Sequence, residues 1–176
     1  TDITFGFMTA VHVASEAMDR VRTSAASHHR VMVVEVMGRN AGWIALHSGI
    51  ASGADVILIP EIEFDVEKIC EAIHARRARG QKYSIICAAE GAKPVGGKPI
   101  VQRMDKTSPD PVRYGGIGQQ LSAQIEEATG IEGRHVVLGH TQRGGTPLAA
   151  DRVLATQFGH HAMELLRSGD MNKMVA

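Results

Sequence analysis

The sequence predicts an α/β fold with a mostly parallel sheet, arranged as a three-layer α/β/α sandwich. Segments rich in β-branched residues alternate along the chain with segments whose apolar residues recur at helical spacing. Such alternation is typical of right-handed strand–helix–strand crossovers and parallel strands. The strand segments are also nearly continuous apolar runs, as expected for strands that helices cover on both faces.

The individual elements follow from these patterns in chain order. Helical periodicity predicts a first helix from about Gly6 to Arg22, and the first strand runs from Val31 to Val36. A short helix follows from Ala41 to Ile50, with Asn40 as its N-cap. The remaining predicted strands lie within the segments 54–61, 83–90 and 134–140, and the remaining predicted helices lie at 65–80, at 117–129, closed by Gly130, and at 148–166.

One long segment, Gly91 to Arg113, shows neither periodicity. It contains three glycines and four prolines. A loop of this length is often a functional lid or an insertion. A short hairpin within it is the alternative that the pattern leaves open.

Composition limits the classes of function. The 176 residues are 44% hydrophobic with a formal net charge of zero, which favours a packed domain and argues against nucleic-acid binding driven by charge. No apolar run approaches the roughly 20 residues of a membrane helix, and no signal peptide is visible. Cys70 and Cys87 lie in apolar surroundings and are predicted to be buried thiols in a reducing, cytoplasmic compartment. Because the chain begins at Thr1, we expect a piece of a longer protein.

Polar residues follow each predicted strand. Gly38 and Arg39 follow the first strand, Glu61 the second and Glu90 the third; after the fourth come His140, Gln142, Arg143, Gly144 and Gly145. The carboxyl ends of parallel strands share one edge, where open α/β sheets bind ligands. Arginine and histidine suit a phosphate and glutamate suits hydroxyl groups, so this edge predicts a sugar-phosphate site.

Each of these residues also has a structural interpretation. Arg39 is compatible with a solvated turn, Glu61 with a turn cap, and His140 with a satisfied core histidine. Glu35, inside the first strand, is interpreted as structural, either ion-paired or facing the surface. The shared edge favours a ligand site, because polar residues with unrelated structural roles would not be expected to gather at one edge of the sheet.

Two further arginines belong to the opposite edge of the sheet. Arg30 immediately precedes the first strand and Arg134 the fourth. They are either ordinary solvated charges or groups that serve a neighbouring subunit.

At this point the chain resembles the phosphofructokinase family. The motifs that carry the resemblance cover nearly the whole chain in the family's order; they are TDITFGFMTAV, ASHHRVMVVEVMGRNAGW, GADVILIPE, AAEG and VLGHTQRGGTPLAADR. The resemblance implies phosphoryl transfer to the 1-hydroxyl of fructose 6-phosphate, in glycolysis. It also implies that residues 1–142 form the sugar-phosphate-binding domain and that residues 143–176 return into the donor-binding domain.

The family's functional residues carry over by motif. Arg39 is implied to be catalytic, because the family's M-G-R motif approaches the transferred phosphoryl group. Arg30 and Arg134 are implied to reach the 6-phosphate bound by a neighbouring subunit of a homodimer or tetramer. The full implied substrate set is Arg30, Met37, Gly38, Arg39, Glu90, Arg134, His140 and Arg143.

The resemblance places other functions outside this chain. The family's catalytic aspartate, donor loop and Mg²⁺ ligands lie upstream, so no metal ligand is expected here and the isolated fragment is expected to be inactive. The donor is ATP or pyrophosphate, with ATP slightly favoured. Arg22 and Asp55 match an allosteric pattern, but Gln81 stands where a lysine is usual.

Two rival interpretations remain open at this stage. One is a non-catalytic sugar-phosphate-binding regulatory subunit, which only the upstream sequence would distinguish. The other is a nucleotide-binding module, which lacks support because neither G-x-x-x-x-G-K-[ST] nor G-x-G-x-x-G occurs. No nucleic-acid or membrane partner is expected.

Overall fold

A computed structural model describes residues 3–104, 106–107 and 111–176. Four parallel strands form the central sheet in the order β2-β3-β1-β6, and β4 and β5 form a separate antiparallel hairpin. The strands are β1 (Val31–Val36), β2 (Val56–Leu58), β3 (Ser84–Ala89), β4 (Val101–Met104), β5 (Val112–Tyr114) and β6 (Gly133–Val137). The helices are α1 (Phe7–His28), α2 (Trp43–Ala51), α3 (Val66–Ala78), α4 (Ile117–Thr129) and α5 (Ala149–Ser168), with a 3-10 helix at Gly139–Arg143.

The sheet separates two hydrophobic cores. Met18 of α1 and Ala45 of α2 pack on one face with alternate β1 and β3 residues. Ile73 of α3 and Leu121 of α4 pack on the other face. Both central strands are buried along their whole length, which confirms the predicted three-layer α/β/α arrangement.

Both cysteines are buried free thiols, as predicted. Burial raises the pKa of Cys87 to about 12. Among the described residues, no helix is both long and apolar enough to cross a membrane.

The predicted cap of α2 is wrong. Asn40 is exposed, and the N-cap position is Gly42, which has no side chain. The Gly42 N–H donates instead to the Glu61 carboxylate, at 2.9 and 3.1 Å from its two oxygens. Glu61 thus caps α2 from the turn after β2, where a negative charge also suits the helix dipole.

The interpretation of Glu35 as ion-paired or surface-facing is also wrong. This β1 residue is only 3% exposed, and its carboxylate accepts from the Gly118 N–H at 2.8 Å and from the Gly116 N–H at 3.2 Å. Glu35 therefore caps the N-terminus of α4. The cap ties the segment that precedes α4 to the central strand.

Several boundaries differ from the predicted ones. Helix α1 continues to His28, six residues past Arg22, and the fourth strand ends at Val137, where the chain turns into the 3-10 helix. Within the long segment 91–113, β4 and β5 form the hairpin that was the alternative to a lid. Residues 105 and 108–110 of that segment lie outside the described residues, as do residues 1 and 2 of the first motif.

The start of α5 is fastened to the start of α1. Asp151 is 5% exposed and accepts from the backbone N–H groups of Gly6, at 2.8 Å, and Thr9, at 2.9 Å, and from the Thr9 hydroxyl. In return, the Leu148 N–H donates to the Thr9 hydroxyl at 3.0 Å. Beyond Asp151, α5 contributes no other buried residue.

Candidate active site

The chain turns sharply where β1 ends, at Met37-Gly38-Arg39. A Cβ on Gly38 would lie 2.5 Å from the Ala41 carbonyl oxygen, so only glycine fits there. Arg39 has a φ of 55°, in the left-handed region that non-glycine residues rarely occupy. Backbone strain of this kind concentrates at functional sites, and here it falls on the arginine predicted to be catalytic.

Glu90 and Gly91, which follow β3, approach this corner closely. One Glu90 oxygen, Oε1, accepts from the Gly38 N–H at 3.2 Å and from the Arg39 N–H at 2.9 Å. A Cβ on Gly91 would lie 1.9 Å from the Arg39 carbonyl oxygen. The carboxylate and the absent side chain together allow β3 to support the strained residue.

The second Glu90 oxygen, Oε2, makes no hydrogen bond with any other residue that the structure describes. It remains available to accept from a ligand hydroxyl. The same side chain can thus hold the backbone and contact a sugar.

The 3-10 helix after β6 presents two basic side chains at the same edge. His140 and Arg143 are exposed, and neither side chain forms a hydrogen bond or ion pair within the described part of the chain. The alternative interpretation of His140 as a satisfied core histidine is therefore wrong. Gln142, on the same turn, is buried and accepts from the Met37 N–H at 2.7 Å.

A cavity of about 990 Å³ opens beside the corner. Met37, Gly38 and Arg143 line it, whereas Arg39, Glu90 and His140 do not, although Glu90 contacts Gly38 directly. Aromatic side chains also line this cavity, which the sequence did not predict. Phe7 and Trp43 flank His47 there, with ring centroids 5.3 and 6.1 Å from the imidazole.

Arg30 and Arg134 lie together at the opposite edge. Parallel pairing of β1 with β6 places both near the amino ends of their strands: Arg30 directly precedes β1, whereas Arg134, predicted to precede its strand, is the second residue of β6. Glu132 joins them: it forms an ion pair with Arg30 and another with Arg134, the latter at 2.5 Å. The hydrogen bond from Arg30 is the main cause that lowers the pKa of Glu132.

Arg22 and Asp55 already have partners within the fold. The Arg22 guanidinium donates to the carbonyl oxygens of Ser52 and Gly53, the latter at 3.1 Å. Asp55 pairs with Arg76 at 2.8 Å and accepts from the Ile85 N–H at 2.8 Å.

No group of three or more His, Cys, Asp or Glu side chains that could hold a metal occurs among the described residues.

Fold and edge together define a class: a parallel α/β protein whose carboxyl edge carries exposed basic side chains beside a strained corner, at the place where such sheets bind ligands. The family model described as Phosphofructokinase matches residues 1–166. The chain belongs to the phosphofructokinase family.

Similar proteins include enzymes named for two different donors. The chain is 57% identical to a pyrophosphate–fructose 6-phosphate 1-phosphotransferase of Amycolatopsis methanolica and 52% identical to ATP-dependent 6-phosphofructokinase 3 of Streptomyces coelicolor. All of this chain aligns in both cases, against 51% and 52% of the relatives. The chain thus spans about half the length of these curated relatives.

Solved structures agree with the fold. The phosphofructokinase of Saccharomyces cerevisiae matches 92% of this chain and 20% of its own, with 37% identity and a TM-score of 0.77. A pyrophosphate-dependent phosphofructokinase from Marinobacter aquaeolei matches 92% of this chain and 39% of its own, with 27% identity and a TM-score of 0.71.

Proposed function

We propose that this chain is the acceptor half of a phosphofructokinase that transfers a phosphoryl group to the 1-hydroxyl of fructose 6-phosphate. The observation that carries the proposal is the strained Met37–Arg39 corner, held by Glu90 at the edge where His140 and Arg143 are exposed. We assign the activity to the complete protein, since the relatives have a second half of similar length.

The proposed roles divide along the edge. Arg143 and His140 bind the 6-phosphate, because exposed basic side chains with no hydrogen-bond partner among the described residues are ready for an anion. The free oxygen of Glu90 accepts from a sugar hydroxyl. Met37 and Gly38, which line the cavity, position the sugar beside Arg39.

In the transfer itself, the O1 oxygen of the sugar forms a bond to the phosphorus while the bond from phosphorus to the donor's bridging oxygen breaks. The O1 proton passes to a base that the family resemblance places in the other half. Arg39 stabilises the negative charge on the phosphoryl oxygens while the phosphoryl group passes from the donor to O1. A Mg²⁺ ion held by the other half would neutralise donor charge.

The donor is the finer part of the proposal. We propose ATP, with pyrophosphate as the second candidate. Relatives of both kinds support keeping both candidates: five named for ATP are 52–53% identical to this chain, and three named for pyrophosphate are 54–57% identical.

Three further assignments belong to the same proposal. Arg30 and Arg134 serve the neighbouring subunit's 6-phosphate in a homo-oligomer. Arg22 and Asp55 contribute to an effector site, in which case a ligand must compete with their present partners. The complete enzyme works in the cytoplasm.

The test is a product assay on the complete protein, following fructose 1,6-bisphosphate with ATP or pyrophosphate as donor. Fructose 6-phosphate should be consumed with one donor, while fructose, which lacks the 6-phosphate, should react far more slowly. Absence of product with both donors, although fructose 6-phosphate binds, would instead support the regulatory-subunit alternative. Absence of binding as well would overturn the site.

A further inference from the structure

The backbone of the corner is held by side chains through three successive N–H groups. The Met37 N–H donates to Gln142 Oε1 at 2.7 Å, and the N–H groups of Gly38 and Arg39 donate to Glu90 Oε1. Two elements distant in sequence thus clamp one tripeptide. Gln142 supplies the shortest of the three bonds.

The strain at Arg39 explains why such a clamp is needed. A non-glycine residue at a φ of 55° persists only where its surroundings over-determine the conformation. Without its acceptors, the corner would relax toward ordinary backbone angles. Relaxation would move the Arg39 guanidinium away from its working position.

The Gln142 amide is placed for this contact at a cost to stability. Its Nε2 is buried and has no hydrogen-bond partner among the described residues. An unpaired buried donor is unfavourable, and an apolar side chain of equal length would avoid it. Such a side chain would, however, leave the Met37 N–H without an acceptor.

Gln142 also lies one residue before Arg143, on the turn that begins with Gly139. Its bond to Met37 therefore joins the turn that carries the basic phosphate ligands to the corner that carries Arg39. The spacing between the phosphate-binding end and the reacting end of a substrate depends on this link.

We propose that Gln142 is a positioning residue, which holds the Met37–Arg39 corner in register with the His140–Arg143 turn through its hydrogen bond to the Met37 N–H. The proposal rests on the proposed phosphofructokinase function. Displacement of about 1 Å at a reacting group can cost about a hundredfold in rate. The loss should appear mainly in kcat, because the side chains that bind the 6-phosphate are themselves unchanged while their register with Arg39 is lost.

The experiment compares Gln142→Met with Gln120→Met in the complete protein. Gln120 is exposed on α4 and serves as the matched control. We expect Gln142→Met to lower kcat about tenfold to a hundredfold, to change KM for fructose 6-phosphate less than threefold, and to speed hydrogen exchange of the Met37 amide. The control variant should match the wild type in kcat, in KM and in the hydrogen exchange of the Met37 amide.

A normal kcat with a rapidly exchanging Met37 amide would overturn the proposal, as would unchanged exchange or an effect on KM alone. Should Gln142→Met fail to fold, Gln142→Asn keeps the amide but withdraws its oxygen by one methylene, and the same loss of kcat is expected. If the wild-type protein lacks phosphofructokinase activity, the proposed function fails. Hydrogen exchange still reports on the Met37 contact in that case, so the two failures are distinguishable.

Discussion

Arg39 and Arg143 occupy different kinds of position at one edge, and this difference separates their proposed roles. Arg143 is exposed on a turn and makes no contact within the described chain that a ligand would have to replace. Arg39 is half-buried, with its backbone in the left-handed region and anchored by Glu90. The exposed Arg143 therefore suits binding of the substrate in its ground state. The rigidly held Arg39 suits stabilisation of the phosphoryl group during transfer.

Replacing Arg143 with alanine should therefore weaken substrate binding. A hydrogen bond to a charged group contributes about 1.5–3 kcal/mol, which corresponds to roughly a tenfold to hundredfold rise in the dissociation constant of fructose 6-phosphate. Titration of the complete protein with the sugar phosphate measures it. Arg77→Ala, an exposed arginine on α3, is the control and should leave affinity unchanged. Unaltered affinity in Arg143→Ala would remove this residue from the site.

Replacing Arg39 should lower kcat more than it raises KM, since a group that acts on developing charge matters most in the transition state. Arg39→Gly and Arg39→Ala both remove the guanidinium, but only glycine also relieves the strain at a φ of 55°. Steady-state kinetics should show similar losses of kcat in both. A loss confined to Arg39→Ala would assign the effect to the backbone, and an effect on KM alone would make Arg39 a ground-state ligand.

At the scale of elements, carboxylates that cap helices join segments that are distant in sequence, and two of them, Glu35 and Asp151, are buried. Glu35 caps α4 across more than 80 residues, Asp151 caps α1 across more than 140, and Glu61 caps α2 across 19. Each satisfies backbone N–H groups that a helix leaves unpaired at its start. These links fix how the helices sit on the sheet, and so where the site's turns lie.

Glu35→Gln should destabilise the fold. The amide keeps one acceptor oxygen but presents its other end, an NH₂ donor, to the N–H groups of Gly116 and Gly118. Loss of a charge-assisted bond at a buried site costs about 1.5–3 kcal/mol in the free energy of unfolding. Urea unfolding of the complete protein measures it, with exposed Glu71→Gln on α3 as the control. Equal midpoints for the two variants would contradict the capping role.

Asp151 predicts a dependence on pH. The hydrogen bond from the Thr9 hydroxyl, followed by those from the Gly6 and Thr9 backbone, lowers the pKa of Asp151 below its usual range. A carboxyl with a depressed pKa in the folded state contributes stability above its unfolded pKa of about 4, and this contribution is lost as pH falls through the folded value. The difference in unfolding midpoint between the wild type and Asp151→Asn should therefore be largest near neutral pH and shrink below about pH 4.

The control for that measurement is Asp19→Asn, at an exposed position on α1. It should stay close to the wild type at each pH. A difference for Asp151→Asn that stayed constant from pH 7 to pH 3 would mean that the ionised carboxylate has no special role at the junction of α1 and α5.

At the scale of the molecule, the parts that local pattern governs were predictable. Strand β1 and helix α4 begin and end where periodicity and Gly130 place them. The failures have a common cause: Asn40 and Glu35 were misjudged because the groups that cap α2 and α4 are joined only by the tertiary fold. The alternative of a core histidine at His140 arose from the apolar run before it, and that run ends at Gly139, which has a positive φ of 48°.

The edge at which the proposed site residues gather was predictable, but the contacts among them were not. Parallel topology alone brings Arg39, Glu90 and Arg143 to one edge, and the sequence order of strands was enough to foresee it. The left-handed Arg39 and the bond from Met37 to Gln142 depend on exact side-chain placement. The one signal in the sequence that could have indicated this bond is the position of Gln142 inside the VLGHTQRGGTPLAADR motif.

The two arginines at the amino edge of the sheet predict a site that is shared between two subunits. Glu132 holds Arg30 and Arg134 together, so they form one cationic unit. A strand of six residues at roughly 3.3 Å each separates that unit from the carboxyl edge by about 20 Å, which an arginine side chain cannot span. A two-fold dimer can face one subunit's amino edge toward its partner's carboxyl edge.

Subunit complementation tests this arrangement in the complete protein. In a mixed dimer of an Arg30→Ala subunit and an Arg143→Ala subunit, one shared site collects both defects and the other collects neither. Activity should therefore rise above that of either parental dimer, toward half of the wild-type value. With sites confined to single subunits, every site in the mixture carries one defect and no recovery occurs. Absence of recovery in purified heterodimers would thus place Arg30 outside the partner's site. Its ion pair with Glu132 would then be a structural contact only.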